Sequence, residues 1–293
     1  MSFPSYFSFF CRMLLGLALP LAARAAAAGA AFDVADFGAT GRSISSDTAA
    51  VQRAIDACSA GGGGLVRVGA GTHLTVGTIE LRSRVELRLE RGALLEGSPR
   101  PADYTRFGLP PVTFGAAPPP RLGVLVYADG VEDVAVTGPG RIDGNDLAFV
   151  NRATPQIYLC PEIRPFAMVL KNCRHVLLRD FSLTNSAFWT LRLLGCDDAL
   201  IDGLHIDGDL RMPNDDGIDI DRSSNVCVRG CDISTGDDCI SVKAVPLSEG
   251  IDRPCENVLI TGCVLRSRSS AIAVGCDVSG DIHDVVVSDC VIR

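Results

Sequence analysis

Two acidic motifs contain the residues that could carry out chemistry. The first is Asn214-Asp215-Asp216-Gly217-Ile218-Asp219, and the second is Gly236-Asp237-Asp238. Carboxyl groups that crowd together cannot all ionise freely, so the pKa of at least one of them must rise. A protonated acid beside ionised bases is the set of groups that can cleave a glycosidic bond.

The same residues also have an ordinary structural interpretation. Aspartate is a common turn residue, and Asp219 and Asp221 could simply cap loops. Asp216 precedes Asp237 by 21 residues and Asp238 by 22, a spacing that matters only if the chain returns to the same place after each such interval. The residues alone leave both interpretations open, and the fold must decide between them.

A repeated phrase in the second half of the chain predicts that fold. A polar residue is followed by a short strand of alternating apolar residues, a small residue and a second short strand. The first apolar residue of each copy recurs at intervals of 23, 27, 32 and 27 residues, and the segment from Val131 to Gly138 is an earlier, weaker copy. The five markers are Val176, Ala199, Val226, Val258 and Val285.

Constant strands separated by variable loops are typical of a solenoid in which each coil stacks on the previous one. The segments between strands lack helical periodicity, which argues against a doubly wound α/β fold, and few hairpin turns are present, which argues against a sandwich. We therefore predict an all-β, right-handed parallel β-helix. Stacked coils lie about 4.8 Å apart, so the two acidic motifs should meet on one face.

One helix is predicted before the repeats. Ser46-Asp47 could form its N-cap, Val51, Ile55 and Cys58 follow helical spacing, and Gly61 to Gly64 should end it. A solenoid needs a cap on its first coil, and this helix would supply it. We expect residues 31–293 to form a single domain, with Leu109 to Pro120 as a Pro- and Gly-rich surface loop.

The first 30 residues resemble a secretory signal. Arg12 precedes an apolar run from Met13 to Ala23, and small residues follow, so 1–30 is predicted to be a signal peptide. An uncleaved anchor is the alternative. We expect a secreted protein, extracellular or periplasmic, with no membrane association after cleavage of the signal, and a monomer. A net charge of −8 argues against nucleic acid as a partner.

Six of the 12 cysteines follow the repeats. Cys231, Cys263 and Cys290 each lie five residues after a marker, and three others, Cys173, Cys196 and Cys255, each lie three residues before one. Equivalent positions on stacked coils should form inward-facing ladders, in which a free cysteine acts as a small apolar residue. One or two disulfides are the main alternative, and a metal site is a weaker one.

The acidic motifs, taken with other segments, resemble the polygalacturonase family, glycoside hydrolase family 28. Asn214 to Asp219 resembles its Asn-Thr-Asp motif, and Gly236-Asp237-Asp238 its Gly-Asp-Asp motif. Asp36-Phe37-Gly38-Ala39, Gly92 to Ser98 and Asn185-Ser186-Ala187-Phe188-Trp189-Thr190 resemble other parts of the family. The resemblance extends from about Asp33 to Arg293.

This resemblance implies inverting hydrolysis of α-1,4-galacturonosyl bonds in pectin, polygalacturonate or a rhamnogalacturonan, without a metal or another cofactor. Asp237 would be the general acid, and Asp216 and Asp238 would hold and activate the water. Inversion leads us to expect acid and base carboxyls roughly 6.5–9.5 Å apart. Asp237 and Asp238 would face opposite sides of a flat strand, so we expect Gly236 to let the backbone bend.

Four residues are candidates for substrate binding: Asn214, Lys243, Arg211 and Ser270. Ser270 occupies the place of the histidine in the Gly-His-Gly motif of the family. Lys243 and Arg211 could meet uronate carboxylates, or they could be solvated cations beside acidic residues. Trp189 is expected to pack rather than to bind sugar. The Arg-x-Lys pair of the family would lie beyond Arg293, so the sequence is expected to be incomplete at its C-terminus.

Two other functions are compatible with the same residues. One is a calcium-dependent polysaccharide lyase on the same fold, with the aspartates as metal ligands. The other is a non-catalytic carbohydrate-binding relative, which the serine at position 270 would suit.

Overall fold

The computed structural model describes residues 31–108, 122–161, 163–245 and 250–293. The predicted signal peptide at 1–30 and the predicted loop at 109–120 lie outside the described residues. Residues 31–293 form one compact unit. Within the described ranges, no helix is both long and apolar enough to cross a membrane.

Three parallel sheets run along the molecule, and the chain visits them in turn. Sheet A contains β1 (Ala31–Asp33), β2 (Gly64–Val68), β5 (Val85–Leu89), β9 (Glu132–Thr137), β14 (Arg174–Arg179), β17 (Asp197–Asp202), β20 (Ser224–Arg229), β23 (Cys255–Thr261) and β26 (Ile282–Ser288). Sheet B contains β3 (His73–Val76), β6 (Leu94–Gly97), β10 (Arg141–Asp143), β15 (Ser182–Thr184), β18 (His205–Asp207), β21 (Asp232–Thr235), β24 (Val264–Ser267) and β27 (Val291–Ile292). Sheet C contains β4 (Ile79–Glu80), β8 (Leu122–Asp129), β13 (Phe166–Lys171), β16 (Leu191–Leu194), β19 (Ile218–Asp221), β22 (Ile240–Ala244) and β25 (Ile272–Val278).

The register of sheet A confirms the repeats predicted from the sequence. Val176 pairs with Ala199, Ala199 with Val226, Val226 with Val258, and Val258 with Val285. The weaker copy is in register as well, because Val134 pairs with Val176. The unequal intervals are therefore absorbed by the connections, and the predicted parallel β-helix is confirmed.

A row of left-handed residues explains the polar residue that precedes each marker. Each of these residues has φ between 52° and 59°, a conformation that asparagine and aspartate tolerate better than other side chains do. The row consists of Asp133, His175, Asp198, Asn225, Asn257 and Asp284. A second row, at the corner between sheets A and B, consists of Gly138, Asp180, Gly203, Gly230, Gly262 and Asp289. The sequence therefore encodes where each coil bends.

The interior of the coil stack is aliphatic and contains the cysteine ladders. Marker and ladder residues such as Val176, Cys231 and Cys263 are buried in one continuous core. Ten cysteines are described as free thiols, eight of them buried, which confirms the free-thiol prediction for that part of the chain. A small apolar thiol fits this closely stacked interior without a partner.

Helix α1 (Ile44–Ala60) covers the first coil, as predicted. Val51, Ile55 and Cys58 are fully buried, and Gly61 follows the last helical residue. The start of the helix was predicted wrongly, because it begins at Ile44 rather than after Ser46-Asp47. Asp47 lies inside the helix, and its carboxylate accepts hydrogen bonds from the backbone of Thr40 and Ser43.

A few elements depart from the coil pattern. β7 (Phe107–Gly108) pairs antiparallel with β8. In the described part of the chain, three 3-10 helices span Val34–Phe37, Pro101–Asp103 and Asp146–Phe149. β11 (Arg152–Ala153) and β12 (Tyr158–Leu159) form an antiparallel hairpin. This hairpin belongs to the long connection between β10 and β13, and it lies beside the acidic motifs, as described below.

Candidate active site

The three aspartates lie in turns that lead from sheet B into sheet C. Asp216 comes two residues before β19, and Asp237 and Asp238 lie between β21 and β22. Ile218 pairs with Ile240, so Asp216 and Asp238 are equivalent positions on adjacent coils. One carboxylate oxygen from each of the three aspartates lies within 4.8 Å of the other two. The one-coil spacing thus brings the two motifs together.

Glycines allow these turns to approach each other closely. A Cβ on Gly236 would lie 2.1 Å from the carbonyl oxygen of Met212, and a Cβ on Gly217 would lie 2.4 Å from that of Cys239. Gly236 is not in the left-handed region. The chain bends at Gly236 and Asp237, as predicted. The close contact with the neighbouring turn, rather than a left-handed conformation, is what requires a glycine at this position.

Asp238 is held by two donors from the coil wall. The Ser241 hydroxyl donates to Asp238 Oδ2 at 3.0 Å, and the backbone N–H of Ser270 donates to Oδ1 at 3.1 Å. Asp238 is only 6% exposed. Ser270, predicted as a substrate-binding residue, thus acts here through its backbone, and it fixes the orientation of the Asp238 carboxylate.

Asp237 is the most accessible of the three aspartates. Its Oδ1 accepts the backbone N–H of Asp238 at 3.1 Å. Its carbonyl oxygen accepts hydrogen bonds from the hydroxyls of Thr235, at 2.8 Å, and Ser267, at 2.6 Å. The half-buried Asp237 carboxyl can therefore reach a bound molecule, while its backbone is fixed from both sides.

Asp216 is 3% exposed, and its Oδ1 has no hydrogen-bond partner within the described residues. Its Oδ2 lies 3.6 Å from Nζ of Lys243. Burial, and then the nearby charge of Asp219, raises the pKa of Asp216, and the Lys243 ammonium opposes this rise. An unpaired, buried carboxylate oxygen is suited to accept a proton or a hydrogen bond from water.

Lys243 is committed to internal acids. It is 4% exposed, and its Nζ also lies 3.4 Å from Asp219 Oδ1 and 4.4 Å from the ring centroid of Trp189. Lys243, predicted to meet a substrate carboxylate, is thus placed to set the charge of Asp216 and Asp219. Trp189 is buried and stacks on Phe188, so its packing role is confirmed.

Asp219 belongs to a buried network of charged side chains. From the sequence alone, Asp219 could equally have capped a loop. It is fully buried, and burial raises its pKa to about 7, while Lys243 and Arg192 oppose the rise. Next to it, Arg192 and Asp221 form a buried ion pair at 2.6 Å. These buried charges lie next to Asp216, to which they are linked through Lys243.

Asn214 is oriented by Arg164, a residue that no sequence motif indicated. Nη2 of Arg164 donates to Asn214 Oδ1 at 3.0 Å, and Nη1 donates to the carbonyls of Pro213, at 2.7 Å, and Ala187, at 2.9 Å. Arg164 is buried. Its partners lie 23 to 50 residues away along the chain, so no local pattern could reveal this role.

Arg211 is not brought to the three aspartates. Its Nε donates to Asp209 Oδ1 at 2.9 Å, and its guanidinium lies 4.4 Å from the ring centroid of Tyr158. Hydrogen bonding to Arg211 holds the pKa of Asp209 well below its usual range. The charge of Arg211 is therefore largely neutralised within the protein.

The aspartate cluster could in principle chelate a cation through its oxygens. Calcium, however, takes six to eight oxygen ligands, and the ammonium of Lys243 already lies beside Asp216. A positive charge at this position disfavours a divalent cation. The arrangement therefore fits proton transfer and water binding better than metal binding.

Comparisons with known proteins agree with this architecture. The sequence profile of glycosyl hydrolases family 28 matches residues 113–293. A probable polygalacturonase of Vitis vinifera is 31% identical over 268 residues, covering 87% of this chain and 53% of the relative. An exopolygalacturonase of Zea mays is 26% identical over 279 residues, covering 92% of this chain and 62% of the relative.

Among solved structures, an exopolygalacturonase from Thermotoga maritima superposes with a TM-score of 0.76 at 24% identity. The match covers 89% of this chain and 66% of that one, and it supports the same fold. The chain thus spans between about half and two thirds of the length of these proteins. Because the profile matches more than half of the chain, the protein belongs to glycosyl hydrolases family 28.

Proposed function

We propose that the protein hydrolyses α-1,4-galacturonosyl bonds of a pectin-type polysaccharide by an inverting acid–base mechanism. The convergence of Asp216, Asp237 and Asp238 within 4.8 Å on stacked turns is the observation that carries the proposal. Relatives at 26–31% identity bear the names polygalacturonase and exopolygalacturonase, which supports a polyuronate as the substrate.

The environment of each carboxyl group supports a distinct role. Asp237 is the accessible one, so it donates the proton to the leaving glycosidic oxygen. Asp238 is held by Ser241 and Ser270, and Asp216 has an unpaired oxygen, so together these two bind the water and remove its proton. Burial raises the pKa of Asp216, and the charge of Lys243 opposes this rise and so favours the ionised form that a base requires.

The spacing of the carboxyls does not by itself indicate inversion. One oxygen from each aspartate lies within 4.8 Å of the others, closer than the expected separation of about 6.5–9.5 Å. The proposal of inversion is supported instead by burial. Asp216 and Asp238 are 3% and 6% exposed, so a small water molecule reaches them more readily than a sugar carbon does.

The product of the first turnovers tests this stereochemistry. Proton NMR of polygalacturonate during hydrolysis should show the β-anomer of the new reducing end before mutarotation, because inversion of an α-linkage gives β. Initial appearance of the α-anomer would indicate retention and would contradict the proposed water activation.

Replacement of the acid tests the reaction itself. We predict that Asp237→Asn lowers the release of reducing ends from polygalacturonate by about 10²–10⁴-fold, because the proton donor is lost. Circular dichroism and the melting temperature should stay close to those of the unmodified protein. Asp232→Asn, on the exposed side of β21, is the matched control and should keep full activity. Equal turnover by the Asp237 variant would exclude the assignment.

The calcium-dependent lyase is not favoured, since Lys243 lies beside the acids. A lyase would generate unsaturated, ultraviolet-absorbing ends and lose activity with a chelator, and we expect neither result. Binding of polygalacturonate without turnover would instead favour a non-catalytic relative.

The proposal includes secretion and a monomeric state. The apolar run from Met13 to Ala23 supports export. N-terminal sequencing of the protein recovered outside the producing cells should give a start near residue 31, and size-exclusion chromatography should give a monomer. An intact Met1 at the mature terminus would contradict processing of the signal.

A further inference from the structure

The coil that follows the acidic turn places three residues directly over it. In sheet B, Thr235 pairs with Ser267, and in sheet C, Ile240 pairs with Ile272. Both pairs are separated by 32 residues, so Arg268, Ser269 and Ser270 lie opposite Gly236, Asp237 and Asp238. The backbone N–H of Arg268 donates to the carbonyl of Thr235 at 3.3 Å, which fixes this position. Arg268 therefore lies one coil away from the proposed acid.

The side chain of Arg268 is exposed and extends toward the β11–β12 hairpin. Its guanidinium donates to the carbonyl of Gln156, between the two hairpin strands. The hairpin is anchored beside the acidic turns. The backbone N–H of Tyr158 donates to the carbonyl oxygen of Arg211 at 2.8 Å, and the Tyr158 hydroxyl donates to Asp209 Oδ2 at 2.7 Å. Arg268 thus bridges the coil stack and the hairpin at the edge of the aspartate cluster.

The other cations around the site are engaged. Lys243 pairs with Asp216 and Asp219, Arg211 with Asp209, and Arg192 with Asp221. Buried Arg164 donates to two carbonyls and to Asn214. Within the described ranges, Arg268 has no carboxylate at ion-pair distance, so its guanidinium retains donors for an external anion.

A polyuronate that approaches this site meets a cluster of carboxylates, so binding requires a local positive charge. We propose that Arg268 binds the carboxylate of a uronosyl unit adjacent to the bond that is cleaved. Its planar fork of N–H donors matches the geometry of a carboxylate. This inference rests on the proposed function and adds to it the residue that selects acidic over esterified substrate.

The test compares the full-length protein with its Arg268→Gln variant on two oligosaccharides. On a de-esterified oligogalacturonate, KM should rise about tenfold because one charge-assisted hydrogen bond is lost, while kcat stays within about twofold. On the fully methyl-esterified oligomer, both parameters should be unchanged. Arg268→Lys should keep part of the preference for the acidic oligomer, because the charge remains.

Arg266→Gln is the matched control. Arg266 is also exposed and lies only two residues earlier, but it is paired in register with Ser234 on sheet B. It should behave like the unmodified protein. An equal KM rise in both variants would show a general charge effect and overturn the proposal. An equal loss on both oligomers in Arg268→Gln would show loosening of the hairpin and would also overturn it.

Calorimetric binding separates this inference from the hydrolase proposal. Oligogalacturonate is titrated into the Asp237→Asn protein with and without Arg268→Gln, so binding is measured in the absence of turnover. Weaker binding on loss of Arg268 supports the inference even if the unmodified protein proves inactive. Equal binding overturns this inference alone, and absence of binding by both overturns both proposals.

Discussion

At the scale of single residues, the structure gives apparently similar aspartates different environments. Asp237 is accessible, Asp238 is held by two donors, and Asp216 and Asp219 share one lysine in a buried network. The charge of Lys243 offsets the burial of both acids, and Arg192 also offsets that of Asp219. Buried positive side chains next to the carboxyl groups therefore control the protonation of the site.

Asp219 should make the stability of the protein depend on pH. Its pKa rises from 3.8 to about 7 on folding, so the folded protein holds this proton more tightly than the unfolded chain. The resulting stabilisation is present below about pH 4 and is lost as the pH rises toward 7. We predict that Asp219→Asn flattens the decline in the free energy of unfolding over this range, by an amount on the order of a few kcal/mol.

Urea unfolding at several pH values measures this effect. Asp215 and Asp216 also have raised pKa values, so part of the decline should remain in the variant. Exposed Asp232 is the control position, and Asp232→Asn should keep the slope of the unmodified protein. The same slope in Asp219→Asn would show that Asp219 does not bind a proton on folding.

At the scale of elements, the turns between sheets B and C position the chemistry. The turn before β19 and the turn before β22 touch through Gly217 and Gly236, where no side chain fits. The register of sheet C places the two turns on adjacent coils, and the contact at these glycines sets how closely Asp237 approaches Asp216. The corners between sheets A and B are different. Their glycines have a left-handed backbone conformation, which Gly217 and Gly236 do not have.

This difference predicts that two glycine substitutions both lower stability but differ in their effect on kcat. Gly236→Ala would place Cβ 2.1 Å from the carbonyl of Met212, so the turn must shift and the acid with it. We expect a loss of stability of about 1–3 kcal/mol and a fall in kcat of roughly 100-fold. Gly230→Ala, with φ 61° and open space around its Cβ, should lose about 1–2 kcal/mol through backbone strain alone.

Urea unfolding and kinetics on polygalacturonate compare the two glycine variants. Full kcat is expected in Gly230→Ala, because that corner lies between sheets A and B. If Gly236→Ala kept full activity, close contact between the turns would not be what places the acid.

At the scale of the whole molecule, the closely packed interior explains how cysteines in the described part of the chain can remain free thiols. Eight cysteines are buried as free thiols: Cys58, Cys173, Cys196, Cys227, Cys231, Cys239, Cys255 and Cys263. A water-soluble thiol reagent should not label them in the native protein, and all eight should react after unfolding without a reductant. Peptide mass spectrometry of the labelled protein measures this, and a disulfide between any two of them would contradict the prediction.

An acidic chain needs locally placed positive groups to bind a polyanion. The net charge is −8, and the cations nearest the site are mostly neutralised by internal acids. Affinity for a polyuronate must then depend on a few local groups rather than on the overall field. The positions of these charged groups therefore decide the affinity, and the amino-acid composition contains no information about positions.

The sequence by itself determined the architecture and the meeting of the acidic motifs. In a parallel β-helix the position of a residue within its coil fixes its neighbours, so the intervals from Val176 to Val285 and from Asp216 to Asp238 could be converted directly into contacts. The bend positions were visible too, because left-handed corners select glycine, asparagine and aspartate.

Only the tertiary structure decided what each charged side chain does. Lys243 turned inward to Asp216 and Asp219, Arg211 paired with Asp209, and Arg164 reached Asn214 from 50 residues away. The repeat of the coils does not determine where the ends of long side chains lie or how the loops between coils fold. Their positions depend on burial and on the nearest opposite charge, which exist only once the coils have stacked.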